Sequence, residues 1–243
     1  MTRKFSSGAA FAGLGALLLL GAVAGCRGGL TVAAPGLAVG PLATVGAPQG
    51  RHYRIDPARS EVRILAYRAG TLAHLGHNHV LVVHGLRGDV WLSPPPAPTT
   101  FRLAFPVAEL EIDAAAARQE EGAEFVSVPT AADIEGTRRN LFGPKVLDAT
   151  TFPEIKIAGQ GVFGGSSTTA RVQFELRDRT SEIEVPLVVE LVGGDLTVRG
   201  GFTVLQTALG LTPFSVALGA LQVRDDLSVR LVLRAAGAPA DIP

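Results

Sequence analysis

The sequence is short of the residues that usually staple or power a small protein. A single cysteine, Cys26, stands among 243 residues, so no internal disulfide can form and the fold must hold through its core alone. One tryptophan and two tyrosines are present, and aromatic residues make up 6% of the chain, which leaves little ring bulk to fill a wide interior. Neither sign of charge prevails: 22 basic residues face 22 acidic ones. No basic run marks a nucleic-acid surface. Catalytic motifs are missing too, with no Gly-x-Ser-x-Gly elbow, no His-Glu-x-x-His and no phosphate loop. The expectation is a protein that is not an enzyme. Glu120-Glu121 reads as a solvated helix face, and Asp225-Asp226 reads as a hairpin turn. Ser215 has no base near it in the sequence.

Only the first residues carry a long apolar run. Arg3 and Lys4 precede an apolar stretch over residues 9–25 that ends in Val23-Ala24-Gly25-Cys26. A charged start, an apolar centre and small residues at the cut make an export signal. The tetrapeptide resembles the bacterial lipobox, whose cysteine takes a diacylglyceryl group. An ordinary secretory signal is one competing reading. A retained anchor is another, since the run approaches the ~20 residues that span a bilayer. The position of the sole cysteine favours a lipoprotein cut before Cys26 and held to a membrane by lipid on that residue. Arg3 and Lys4 leave with the signal, taking 22 basic residues to 20 against 22 acidic, a formal charge of −2. The expected address is the periplasmic side of a cell envelope. Arg27, standing where an inner-membrane retention signal has Asp, leans towards the outer membrane.

The remainder divides by composition. Residues 26–50 are rich in Gly, Ala and Pro and almost uncharged, as a tether would be, with room for a short strand. Residues 51–236 form the folded domain and 237–243 a tail. Period-two rows run through the domain: Val62, Ile64 and Ala66; Phe101, Leu103 and Phe105; Val172, Phe174 and Leu176; Ile183 through Leu191; Leu227 through Leu233. Such rows are half-buried antiparallel strands, and many of them at short spacing make an all-β sandwich or barrel. Residues 114–124 and 130–148 break the pattern with helical spacing. Pro129-Thr130 followed by Asp133 predicts an N-cap with a capping-box variant, so one or two helices are inserted between strands, ending near Pro144.

Five segments in order carry a resemblance to a family. Tyr53-Arg54-Ile55-Asp56-Pro57-Ala58-Arg59-Ser60-Glu61-Val62 is similar to the opening of the YceI-like family, with Arg59 where that family has His. Gly88-Asp89-Val90-Trp91-Leu92, Phe152-Pro153-Glu154-Ile155 and Leu196-Thr197-Val198-Arg199-Gly200 resemble later steps. Thr207-Ala208-Leu209 departs from the Ser-Asp-Phe of the corresponding turn. The resemblance covers about residues 52–234. It implies an eight-stranded antiparallel, lipocalin-like barrel with a short helical insertion, whose apolar lumen holds an isoprenoid lipid, a quinone or a fatty acyl ligand.

Physical chemistry allows such a ligand without requiring it. Eight strands enclose just enough room for one slender guest or for their own side chains. Each buried CH₂ of a guest contributes about 0.8 kcal/mol, so tight binding needs no polar group. Candidate lumen residues are Phe101, Leu103, Phe105, Phe174, Val185 and Leu187. Beyond that bound lipid no cofactor is expected, and the sequence leaves a homodimer open.

Four of the five histidines lie close together, at His74, His77, His79 and His84. Strand alternation puts His77 and His79 on one face, where two neutral imidazoles could hold a zinc or copper ion. A third ligand is wanted, and no acid lies within the stretch. The competing roles for His77, His79 and His84 are lining the barrel mouth against a ligand head group, or ordinary structural hydrogen bonding.

Overall fold

The computed structural model describes residues 31–32, 35–38, 49–164 and 168–237. The candidate signal, Cys26, most of the tether and nearly all of the tail lie outside the described residues. Two short strands come first, β1 (Thr31–Val32) and β2 (Pro35–Ala38). The domain continues with β3 (Arg51–Ile55), β4 (Glu61–Ala69), β5 (His79–Val83), β6 (Arg87–Leu92), β7 (Thr99–Pro106) and β8 (Leu110–Ile112). Two helices then interrupt the strands, α1 (Ala115–Glu120) and α2 (Ala131–Phe142). The second half is strand again: β9 (Glu154–Gly161), β10 (Thr168–Leu176), β11 (Arg179–Val192), β12 (Asp195–Leu205), β13 (Ser215–Val216) and β14 (Leu221–Gly237).

Eight strands close on themselves in the order β12-β11-β10-β9-β7-β6-β3-β14, each neighbour antiparallel and β14 pairing back to β12. The alternation pointed to an all-β sandwich or barrel, and the fold is the eight-stranded barrel that the family resemblance implied. Its longest strand, β14, serves two partners on one side: β4 along Gln222–Val232 and β3 at Ala235–Gly237. From β4 a flap of β5 and β8 continues outward.

Local sequence explains where the ring turns and splits. Gly193 and Gly194 join β11 to β12 as a two-residue loop with φ of 59° and 92°, a conformation that glycine adopts without steric cost. Pro186 lies in a stretch of β11 that pairs with β10 but not with β12, whose register begins at Leu187. A residue without an N–H fits that gap. Beyond it the seam between β11 and β12 opens, and β2 pairs with β11 while β1 runs parallel to β12. Part of the expected tether is thus strand-paired to the barrel wall.

Three local expectations meet the structure differently. Thr130 does cap α2, its hydroxyl accepting from the Asp133 amide at 3.2 Å while the Asp133 carboxylate accepts from the Thr130 amide at 2.8 Å. Asp225-Asp226 is not a hairpin turn. It lies inside β14, where the register to β4 shifts between Val223 and Leu227, and Asp225 accepts from the amide and hydroxyl of Thr207 at 2.9 and 2.6 Å. A bulge keeps the strand continuous while freeing this carboxylate to anchor the neighbouring turn. Nor is Glu121 on a solvated face. Its side chain is 2% exposed and binds Arg63 at 3.1 Å and Arg230 more closely, fastening the end of α1 to β4 and β14.

Candidate functional site

Inward positions of the barrel strands converge on one cavity of about 190 Å³, more than ten times the roughly 10–15 Å³ that admits one water. Phe101, Leu103 and Phe105 from β7, Phe174 from β10, and Val185 and Leu187 from β11 all line it. Their alternation explains the convergence, because every second residue of a strand faces the same side. Leu103, Phe174, Val189, Val198 and Leu231 line the lumen and are half-buried, their side chains bordering the cavity.

The lining is apolar throughout except for Thr99, whose hydroxyl is occupied by the amide and carbonyl of Ser93 at 3.0 and 3.4 Å. Glycine helps shape the wall. Gly159 stands opposite Phe101 in register, and a Cβ there would come within 2.3 Å of the Phe101 ring. The absent side chain lets that ring lie flat across the strand.

The histidines are elsewhere. His77, His79 and His84 are not among the residues that line the cavity. His84 is exposed and pairs with Glu111 at 2.8 Å, and His74 is exposed in a single helical turn. Antiparallel pairing of β5 with β8, which sets Leu81 opposite Ile112, delivers Asp113 to His77 and His79. Asp113 Oδ2 lies 2.8 Å from His79 Nδ1 and 3.5 Å from His77 Nε2, and the two rings are 4.5 Å apart at 61°.

The other oxygen of Asp113 is fully engaged. Oδ1 accepts from the Val80 amide at 2.9 Å and from Arg118 Nη1 at 2.5 Å. Arg118 also donates to the carbonyls of Asn78 and Ser127 at 2.6 and 3.1 Å. Burial alone would raise the Asp113 pKa. Contacts from His77 and His79 and the Val80 amide outweigh it and hold the carboxyl well below the usual carboxylate range. Sequence reasoning missed Asp113 and Arg118 because the acid is 34 residues from His79, and only the strand register reveals the contact.

A family model, the YceI-like domain, matches residues 53–235. Among solved structures, the chain is similar to Burkholderia cenocepacia BcnA at 14% identity, covering 75% of this chain and 99% of that one with a TM-score of 0.54. It is also similar to the YCEI protein of Campylobacter jejuni at 8% identity, covering 65% and 84% with a TM-score of 0.45. No curated protein matches the chain. The matched span begins at Tyr53 of the first barrel strand and ends at Ala235 of the last, taking in the whole ring, its lumen and the helical insertion, and the chain belongs to the YceI-like family.

Proposed function

We propose that this protein is a binding protein, not an enzyme, and that it carries one slender hydrophobic molecule in the barrel lumen: an isoprenoid lipid, a quinone or a fatty acyl chain. The observation that carries the reading is the lumen itself, a cavity of about 190 Å³ whose only polar lining residue has its hydroxyl already satisfied. A polar guest would lose its hydration without compensation there. A hydrocarbon chain gains about 0.8 kcal/mol per buried CH₂. The lipobox-like Val23-Ala24-Gly25-Cys26 supports an anchor on the periplasmic side of an envelope, which would keep the barrel beside the bilayer that supplies or receives its cargo. Among the described residues no helix is long and apolar enough to cross a membrane.

Native mass spectrometry of the full chain purified from bacterial membranes, followed by solvent extraction, tests the reading. A co-purifying hydrophobic mass at one per chain is expected, and recovery of the chain only with water-soluble compounds or nothing would overturn it. The anchor is tested separately. Cys26→Ala should move the protein from the membrane fraction to the soluble one while its cargo stays bound.

A further inference from the structure

We infer that His77, His79 and Asp113 form a binding site for one first-row divalent cation of the zinc or copper(II) class, beneath the helical insertion and separate from the lumen. Three ligand atoms, one from each residue, lie within 4.8 Å of one another. Bonds of 2.0–2.1 Å in a tetrahedral zinc site place ligand atoms roughly 3.3–3.4 Å apart. The pair His77 Nε2 and Asp113 Oδ2 is already at 3.5 Å. The pair His79 Nδ1 and Asp113 Oδ2 is at hydrogen-bond distance, 2.8 Å, and opens by about half an ångström when a metal takes the place of the shared proton. That proton leaves to solvent, because both imidazoles ligate as neutral groups.

Two observations favour a cation over a purely structural cluster. His77 Nε2 is enclosed by protein and faces Asp113 Oδ2 at 3.5 Å, beyond good hydrogen-bond length. A ring placed for hydrogen bonding alone would find a partner. Asp113 is also prepared as a one-oxygen ligand: Arg118 and the Val80 amide saturate Oδ1 and fix the carboxylate plane, leaving Oδ2 free to turn to both rings. Such outer partners are what orient a metal ligand. The histidine side chains are each 18% exposed, which leaves the fourth position open to water. Asp133, in the first turn of α2, lies within electrostatic range of His77 and adds negative potential on that side.

The experiment uses the tag-free full chain carrying Cys26→Ser, which removes the sole thiol. After stripping with a chelator, zinc chloride and copper(II) chloride are titrated in turn at neutral pH by calorimetry, and the copper form is examined by electron paramagnetic resonance. One ion per chain is expected, with the copper signal split by two nitrogens. His77→Gln and His79→Gln should each weaken binding about tenfold or more, whereas His74→Gln and His84→Gln should leave it unchanged. No stoichiometric uptake at micromolar metal would overturn the site, as would affinity indifferent to His77 and His79. If either of those variants fails to fold by circular dichroism, the two-nitrogen signature of the chain with both histidines intact decides alone.

Discussion

The barrel lumen and the underside of the helical insertion are built by opposite means. In the lumen, Phe101, Leu187, Val198 and their neighbours surround the cavity with hydrocarbon at every lining position but Thr99. Contacts of this kind have no direction, so side chains can exchange volume with little loss so long as the sum is kept. Under the insertion, Leu65, Val80, Ala117 and Phe125 make a small second core, and beside it buried carboxylates meet arginines: Asp113 meets Arg118, and Glu121 meets both Arg63 and Arg230. Charged pairs in such surroundings are unforgiving, because removing one partner strands the other. One region is apolar and without directed contacts, and the other holds a fixed geometry.

Four substitutions would break or sharpen that contrast. Arg118→Met keeps side-chain bulk but takes the guanidinium from the buried Asp113 carboxylate, leaving it the Val80 amide and the two histidines, and should cost about 3–5 kcal/mol in urea unfolding. A loss under about 1 kcal/mol would mean that the node is not held by charge pairing. Glu121→Gln removes the charge on which Arg63 and Arg230 converge; calorimetric melting should report about 1.5–3 kcal/mol. On the other side of the contrast, Val198→Trp adds bulk where the lumen is empty. Stability should fall by less than about 1.5 kcal/mol while the hydrophobic cargo disappears from extracts of the purified protein. An intact cargo would place the guest elsewhere. Thr130→Ala removes the α2 cap and should cost about 1 kcal/mol, with neither the lumen nor the Asp113 node disturbed in amide exchange.

The inward-facing positions were legible in the sequence, though not whether they enclose a cavity, and the polar node was not legible, for a physical reason. Period two is a property of each strand by itself, so the lining positions of β7, β10 and β11 can be read without knowing which strands are neighbours. The capping box at Thr130 and Asp133 is local in the same way, spanning one helical turn. Asp113 meets His79 only through the β5–β8 register, and Glu121 is buried only because β4 and β14 bring Arg63 and Arg230 beneath it. The bulge at Asp225 shows a further limit: two adjacent acids look like a turn until the seventeen-residue strand around them is seen to continue. Arg59, a departure from the family's opening motif, is explained once the ends of the sheet are known, since it joins Asp56 at 2.6 Å to Asp195 at 2.8 Å across the start of β12.

The double pairing of β14 has a consequence for how the chain reaches this state. Gly237 pairs with Tyr53 at the beginning of the ring, so the barrel cannot close until the chain has been made as far as residue 237. Contacts of such long sequence separation form slowly, and until β14 arrives both β12 and β3 present unpaired edges that invite association with other chains. A chain stopped at residue 220 would lose more than one strand's worth of stability: it would have an open sheet in place of a container, with the apolar faces of all the others turned to water.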